Sequence, residues 1–153
     1  MKILAFDSSS KALAIAILED EQLLAEMTIN IKKNHSITLM PAIDFLMESL
    51  DLKPTDLERI VVAEGPGSYT GLRIAVATAK TLAHTLKIGL VGVSSLRILV
   101  PESIDGLVIP LMDARRNNVY AGFYKNGRIV QPEAHLSFEG VLEKAKPASQ
   151  VTF

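Results

Sequence analysis

Hydrophobic positions change period several times along the chain, and each change marks an element. Lys2–Phe6 is a short apolar run that stops at the polar Asp7, Ser8, Ser9 and Ser10, the pattern of a buried strand and its turn. Leu13–Leu18 and Gln22–Ile29 flank the turn Glu19–Glu21, so the opening is expected to be an antiparallel meander. Asn34, His35 and Ser36 then introduce a helical pattern, Ile37–Leu50, closed by Asp51 and Pro54. Asp44, Glu48 and Asp51 share one narrow polar face of it. Ile37, Leu39, Met40, Ile43, Phe45, Leu46, Met47 and Leu50 spread over most of the rest, which is more apolar surface than one sheet contact requires.

The β-branched run Ile60–Ala63 enters a turn at Gly65, Pro66 and Gly67, and a long helical pattern leaves it over Tyr69–Lys87. Gly89–Val93 completes a right-handed β-α-β unit. Gly71, Ala75, Ala79 and Ala83 form a ridge of small residues at i+4 spacing, suited either to tight packing on the chain's own sheet or to a partner's backbone. Ser94–Val100 reads as a short helix and Pro101–Gly106 as a linker.

The last third repeats the first. Placing Asp113 on Asp7, an offset of 106 (113 − 7), aligns Ile3 with Ile109, Phe6 with Met112, Leu13 with Val119, Ile17 with Phe123 and Leu24 with Val130. The turn pair Asp20 and Glu21 falls on Asn126 and Gly127, itself a strong two-residue hairpin signal. Ser137–Lys146 is expected to be a helix. A duplicated meander whose first strand ends in Asp indicates an α/β protein of the actin-like ATPase (ribonuclease H-like) fold. On that reading residues 1–106 form a first lobe with a mixed five-stranded sheet, and residues 107–153 form an incomplete second lobe.

Composition narrows the function. The 153 residues are 48% hydrophobic, enough for a sizeable core. With 16 basic against 17 acidic residues there is no overall field to grip nucleic acid. The absence of Cys excludes disulfides, thiolate metal sites and Cys nucleophiles. MKILAFD is not a signal peptide, no run approaches a membrane span, and a cytoplasmic protein is expected.

The Gly-rich turn could aim backbone N–H groups and a helix N-terminus at an anion, a ligand or another chain's backbone. Its third glycine, Gly71, falls one residue late for the dinucleotide fingerprint, and no Lys follows to make a Walker loop. Ser68 or Thr70 can cap the helix, and Arg73 in its first turn opposes the dipole unless an anion or acidic partner is near. Asp7, Ser8, Gly65, Gly67, Ser68 and Asp113 are the candidate anion or nucleotide residues. The paired Asp residues could hold a metal-nucleotide between lobes, or each could cap its turn. His35, His84 and His135 are scattered, and neither a metal set nor a nucleophile-base set is apparent. Arg115 and Arg116 are a small basic spot, too few alone for nucleic-acid binding.

Several segments together carry a family resemblance: FDSSS at Phe6–Ser10, NHSITLMP at Asn34–Pro41, GPGSYTGLRIAVATAKTLA at Gly65–Ala83, IGLVGVSSL at Ile88–Leu96 and MDARRNNVYAGFY at Met112–Tyr124. From Lys2 to about Tyr124 the chain closely resembles the TsaB (YeaZ) family of the glycoprotease-like group. The resemblance implies a role in making threonylcarbamoyladenosine in tRNA, as a non-catalytic subunit. The partners it implies are the threonylcarbamoyltransferase TsaD and the ATPase TsaE, with tRNA engaged indirectly and a homodimer when alone. ATP, ADP and metal would enter only through partner subunits. The two HxxxH metal ligands of TsaD-like proteins align with Ser95 and Leu99, which cannot replace them. The partner surface the resemblance implies runs along the two long helices, with Met40, Ile43, Met47, Tyr69, Arg73, Ala75, Ala79 and Ala83 as its candidate residues. Family members usually extend past this length, so a shortened second lobe is expected.

Overall fold

Strand β1 (Lys2–Asp7) alternates buried Leu4 and Phe6 with half-buried Ile3 and Ala5, as a strand with one covered face should. In the computed structural model, which describes residues 1–30, 35–101 and 103–153, this strand is the centre of a mixed sheet. Asn34, expected to help introduce the first helix, and Glu102, within the expected linker, lie outside the described residues. β1 pairs antiparallel with β2 (Ala12–Glu19), which pairs antiparallel with β3 (Gln22–Asn30). On its other side it runs parallel to β4 (Arg59–Ala63), which runs parallel to β5 (Gly89–Val93), giving the order β3-β2-β1-β4-β5.

Helices α1 (His35–Ser49) and α2 (Tyr69–Leu86) cover the face defined by Leu4, Phe6, Leu13, Ile15, Ile17, Ile60 and Val62. From α1 the core takes Leu39, Ile43, Leu46 and Met47; from α2 it takes Ala75, Ala79 and Ala83. Small side chains on α2 let its backbone lie close to β4 and β1, so the ridge serves the chain's own sheet. Lys87, in the left-handed conformation, ends α2 and turns the chain into β5.

Residues fall into two compact units, Met1–Val93 and Ser94–Phe153. The division lies before the short helix α3 (Ser95–Ile98), whereas the sequence suggested residue 106; α3 packs on strand β8 (Asn118–Lys125) and so belongs with the second unit. That unit holds β6 (Leu107–Val108), β7 (Leu111–Asp113), β8, β9 (Arg128–Ser137), helix α4 (Phe138–Ala145) and β10 (Val151–Thr152). Its core is Ile109, Ala121, Phe123, Val141 and Ala145.

Next to the turn the duplication extends to the hairpin register, whereas beyond Phe123 a second irregularity displaces it by one residue, Ala121 pairing with Ala134 where Ile15↔Met27 predicts Glu133. Glu19↔Gln22, Leu18↔Leu23 and Ile17↔Ala25 recur as Lys125↔Arg128, Tyr124↔Ile129 and Phe123↔Gln131, with the same bulge leaving Leu24 and Val130 unpaired. The counterpart of β1 is broken at Pro110 into β6 and β7, because proline removes a ladder donor. β10 runs parallel to β6 as β4 does to β1, although two residues are too few for any periodicity to announce a strand. Among the described residues the second sheet has no counterpart of β5.

Candidate functional site

The Gly-rich turn is occupied by the chain itself. Ser8 and Ser9, in the turn after β1, are buried, and the Ser8 hydroxyl donates to the Gly71 carbonyl at 2.7 Å. The Ser68 N–H donates to the Ser9 carbonyl at 2.7 Å. Gly67 (φ +158°) has no room for a side chain, since a Cβ would lie 2.5 Å from the Ser9 carbonyl oxygen. At Gly71 a Cβ would lie 1.9 Å from the Ser8 oxygen, whereas at Gly65 (φ +106°) the demand is conformational. The chain's own backbone, which is not among the expected occupants, packs against the turn, and the turn clamps β1 to α2. Ser68 caps α2 by accepting from the Gly71 N–H at 3.3 Å.

Asp7, Ser8, Gly65, Gly67 and Ser68 are thus brought together, while Asp113 belongs to the second unit. Each Asp closes a turn in the same way. Asp7 Oδ1 accepts from the Ser9 N–H at 2.6 Å and Asp113 Oδ1 from the Arg115 N–H at 2.8 Å, equivalent pairs under the duplication.

The eight candidate partner residues separate into two groups. Ile43, Met47, Ala75, Ala79 and Ala83 lie in the core of the first unit, so the expected surface is corrected at these five: sheet and helices already cover them. Met40, Tyr69 and Arg73 are exposed. On α1, Ile37 (70% exposed), Met40 (44%) and Phe45 (58%) flank Asp44 and Glu48 on the outward face, and Tyr69 (74%) opens α2. The Arg73 guanidinium lies 5.5 Å from the Tyr69 ring centroid, a cation–π contact that offsets its unfavourable place near the helix N-terminus.

Two features of the second unit had little sequence signal. Glu133 accepts from the Ser94 hydroxyl at 2.6 Å and from the Tyr124 hydroxyl, tying α3 to β8 and β9. Burial, and then the adjacent Glu133 carboxylate, push the buried Tyr124 phenol well above its ordinary range. The second feature is a run of three left-handed residues, Arg115, Arg116 and Asn117, beside a cavity of about 700 Å³. Asn is a common choice for that conformation, but arginine announces nothing of the kind. Among the described residues no group of three or more His, Cys, Asp or Glu side chains is placed to hold a metal ion. Nor, among them, is any helix long and apolar enough to cross a membrane.

Comparison with known proteins follows the same lines. Residues 22–152 match the family model described as TsaD: tRNA N6-adenosine threonylcarbamoyltransferase. The tRNA threonylcarbamoyladenosine biosynthesis protein TsaB of Bacillus subtilis (strain 168) is 47% identical over 152 residues, covering 95% of this chain. The chain belongs to the TsaB (YeaZ) family. It spans 66% of the length of that TsaB relative. YeaZ from Pseudomonas aeruginosa superposes with a TM-score of 0.79 at 29% identity, covering 88% of this chain and 67% of its own. The activator of the 2-hydroxyisocaproyl-CoA dehydratase from Clostridium difficile with bound ADPNP has a TM-score of 0.54 at 18% identity, over 90% of this chain and 46% of its own. That likeness shows the fold alone. The TsaB (YeaZ) family identity and these neighbours fix the fold as actin-like.

Proposed function

We propose that this chain is a non-catalytic subunit of the machinery that makes threonylcarbamoyladenosine in tRNA, and that it binds and activates a TsaD-type transferase together with a TsaE-type ATPase. Beyond family membership, the observation that carries this reading is the outward face of α1, where Ile37, Met40 and Phe45 stay exposed although α1 has already buried a full face on its own sheet. Exposed apolar side chains grouped on one helix, with Tyr69 exposed at the start of the neighbouring α2, suit a helix-to-helix interface. In the absence of the transferase the same face would pair two copies. Nucleotide and metal would be bound by the partner subunits, consistent with Ser8 and Gly67 being engaged by the chain's own backbone. Ser95 is buried in α3 and Leu99 exposed just after it, and neither side chain is a metal ligand.

The test is capture of a TsaD-type protein by the parent chain and by Ile37→Asp/Phe45→Asp. Both positions are exposed, so the double variant should keep the circular dichroism spectrum of the parent and lose capture. Undiminished capture by a folded double variant would overturn the assignment of the face. The competing reading, an actin-like ATPase or phosphotransferase using Asp7 and Asp113, predicts tight binding of Mg-ATP by the chain alone in isothermal titration.

A further inference from the structure

The cavity in the second unit combines groups that Arg115 and Arg116 lacked when read as an isolated basic pair. Its wall carries both arginines, Asn117, Asn118 and the Phe138 ring, which is 43% exposed. Among the described residues neither guanidinium has an ion pair or a side-chain hydrogen bond. The left-handed backbone at Arg115–Asn117 is fixed by the Asn118 N–H donating to the Arg115 carbonyl at 3.0 Å and the Ala114 N–H donating to the Asn118 carbonyl at 2.9 Å. The start of α4 is not the attractor: the Phe138 N–H donates to the Asn117 carbonyl at 3.0 Å and the Gly140 N–H to Ser137 Oγ at 3.1 Å.

Charge restricts what fits. Asp113 and Glu139 line the same cavity and balance the two arginines, and the whole chain carries a formal net charge of −1. A duplex backbone, recruited at long range by a positive field, is therefore disfavoured. A ligand that touches the guanidiniums directly and adds uncharged contacts is favoured. One unstacked nucleotide meets these demands: its phosphate to Arg115 and Arg116, its base on the Phe138 ring, and its base edge to the Asn117 amide, since Asn118 Nδ2 already donates to the Arg116 carbonyl at 3.3 Å. A volume of about 700 Å³ accommodates such a unit.

We propose that this cavity binds a single-stranded RNA nucleotide, so that the subunit touches tRNA directly. The inference rests on the place in tRNA modification proposed above, and replaces the indirect engagement that the resemblance implied. The probe is fluorescein-labelled tRNA in anisotropy titrations against salt, with the parent chain, Arg115→Glu/Arg116→Glu, Phe138→Ala and, outside the cavity, Arg128→Glu. The arginine double variant should bind at least about tenfold more weakly, with a salt slope smaller by roughly 0.7 because one phosphate is no longer neutralised. Phe138→Ala should weaken binding about fivefold or more, as for one lost stacked base. Arg128→Glu should bind as the parent does. Both arginine side chains are solvent-exposed, so that arm does not depend on how Phe138→Ala folds. Equal binding by the double variant and the parent, or no measurable binding by the parent, would overturn the proposal. Free AMP displacing the RNA at equal concentration would overturn the RNA strand as the ligand. TsaD capture by the arginine variant separates the two readings: loss of RNA binding with capture intact supports this site, whereas loss of capture with RNA binding retained overturns it and also counts against placing the docking face on α1.

Discussion

Gly71→Ala places two effects of opposite sign in direct competition. Helix propensity alone favours alanine within α2 by about 1 kcal/mol. Packing opposes it, because the new Cβ would sit 1.9 Å from the Ser8 carbonyl oxygen and 3.0 Å from its carbonyl carbon. Both are backbone atoms, so no rotamer change relieves the clash; either the turn after β1 or the first turn of α2 must move. Overpacking of this kind costs about 1–3 kcal/mol. Displacing the turn also strains two hydrogen bonds, Ser8 Oγ to the Gly71 carbonyl and the Ser68 N–H to the Ser9 carbonyl, both 2.7 Å. Each is worth about 1 kcal/mol. The balance is a loss of roughly 2–4 kcal/mol, which for a unit of this size lowers the melting midpoint by about 10 °C or more. Urea and thermal unfolding followed by far-ultraviolet circular dichroism measure it, with Ser8→Ala as the companion that removes one hydrogen bond without a clash and should cost only about 1 kcal/mol. A Gly71→Ala variant as stable as the parent, or more stable, would refute the view that the glycine exists to admit the backbone of the Ser8 turn.

Ala79→Arg tests the corrected face of α2: Ala79 is fully buried, so an unpaired charge there should destabilise the first unit by about 4 kcal/mol or more, seen as loss of the cooperative transition. A folded, stable Ala79→Arg chain would return that ridge to the surface. Tyr124→Phe should cost about 1.5–3 kcal/mol by removing a donor to the Glu133 carboxylate, measured by denaturant titration at neutral pH. The Tyr124 phenol titrates higher folded than unfolded, so its contribution is complete below the unfolded value near pH 10 and is lost as pH rises toward the folded one. The parent should therefore lose stability above pH about 10 more steeply than Tyr124→Phe, and parallel profiles would contradict this assignment.

What the sequence determined by itself was whatever rests on local periodicity and on repetition. Gly89–Val93 is a strand over the residues its pattern marks, and the helix from Tyr69 ends within one residue of its expected close. The offset of 106 linking Asp7 to Asp113 holds through the hairpin turn and its bulge, because turn residues and alternating side chains fix strand register within a few positions; farther along, the second hairpin slips by one residue, so that Ala121 pairs with Ala134. The family was legible as well, since GPGSYTGLR is a contiguous string. Only the tertiary structure decided which side of each helix faced inward. Ala75 and Ala79 read equally well as a ridge for a partner and as a bed for β4, because small residues permit close approach without saying by what. It also decided that the Gly-rich turn holds Ser8 and Ser9, segments about 60 residues apart that no local pattern connects. The cavity beside Arg115 required β7, β8 and the start of α4 to converge. Surplus apolar surface is visible in a string of letters; its address depends on contacts between distant residues, which are settled only when the whole chain packs.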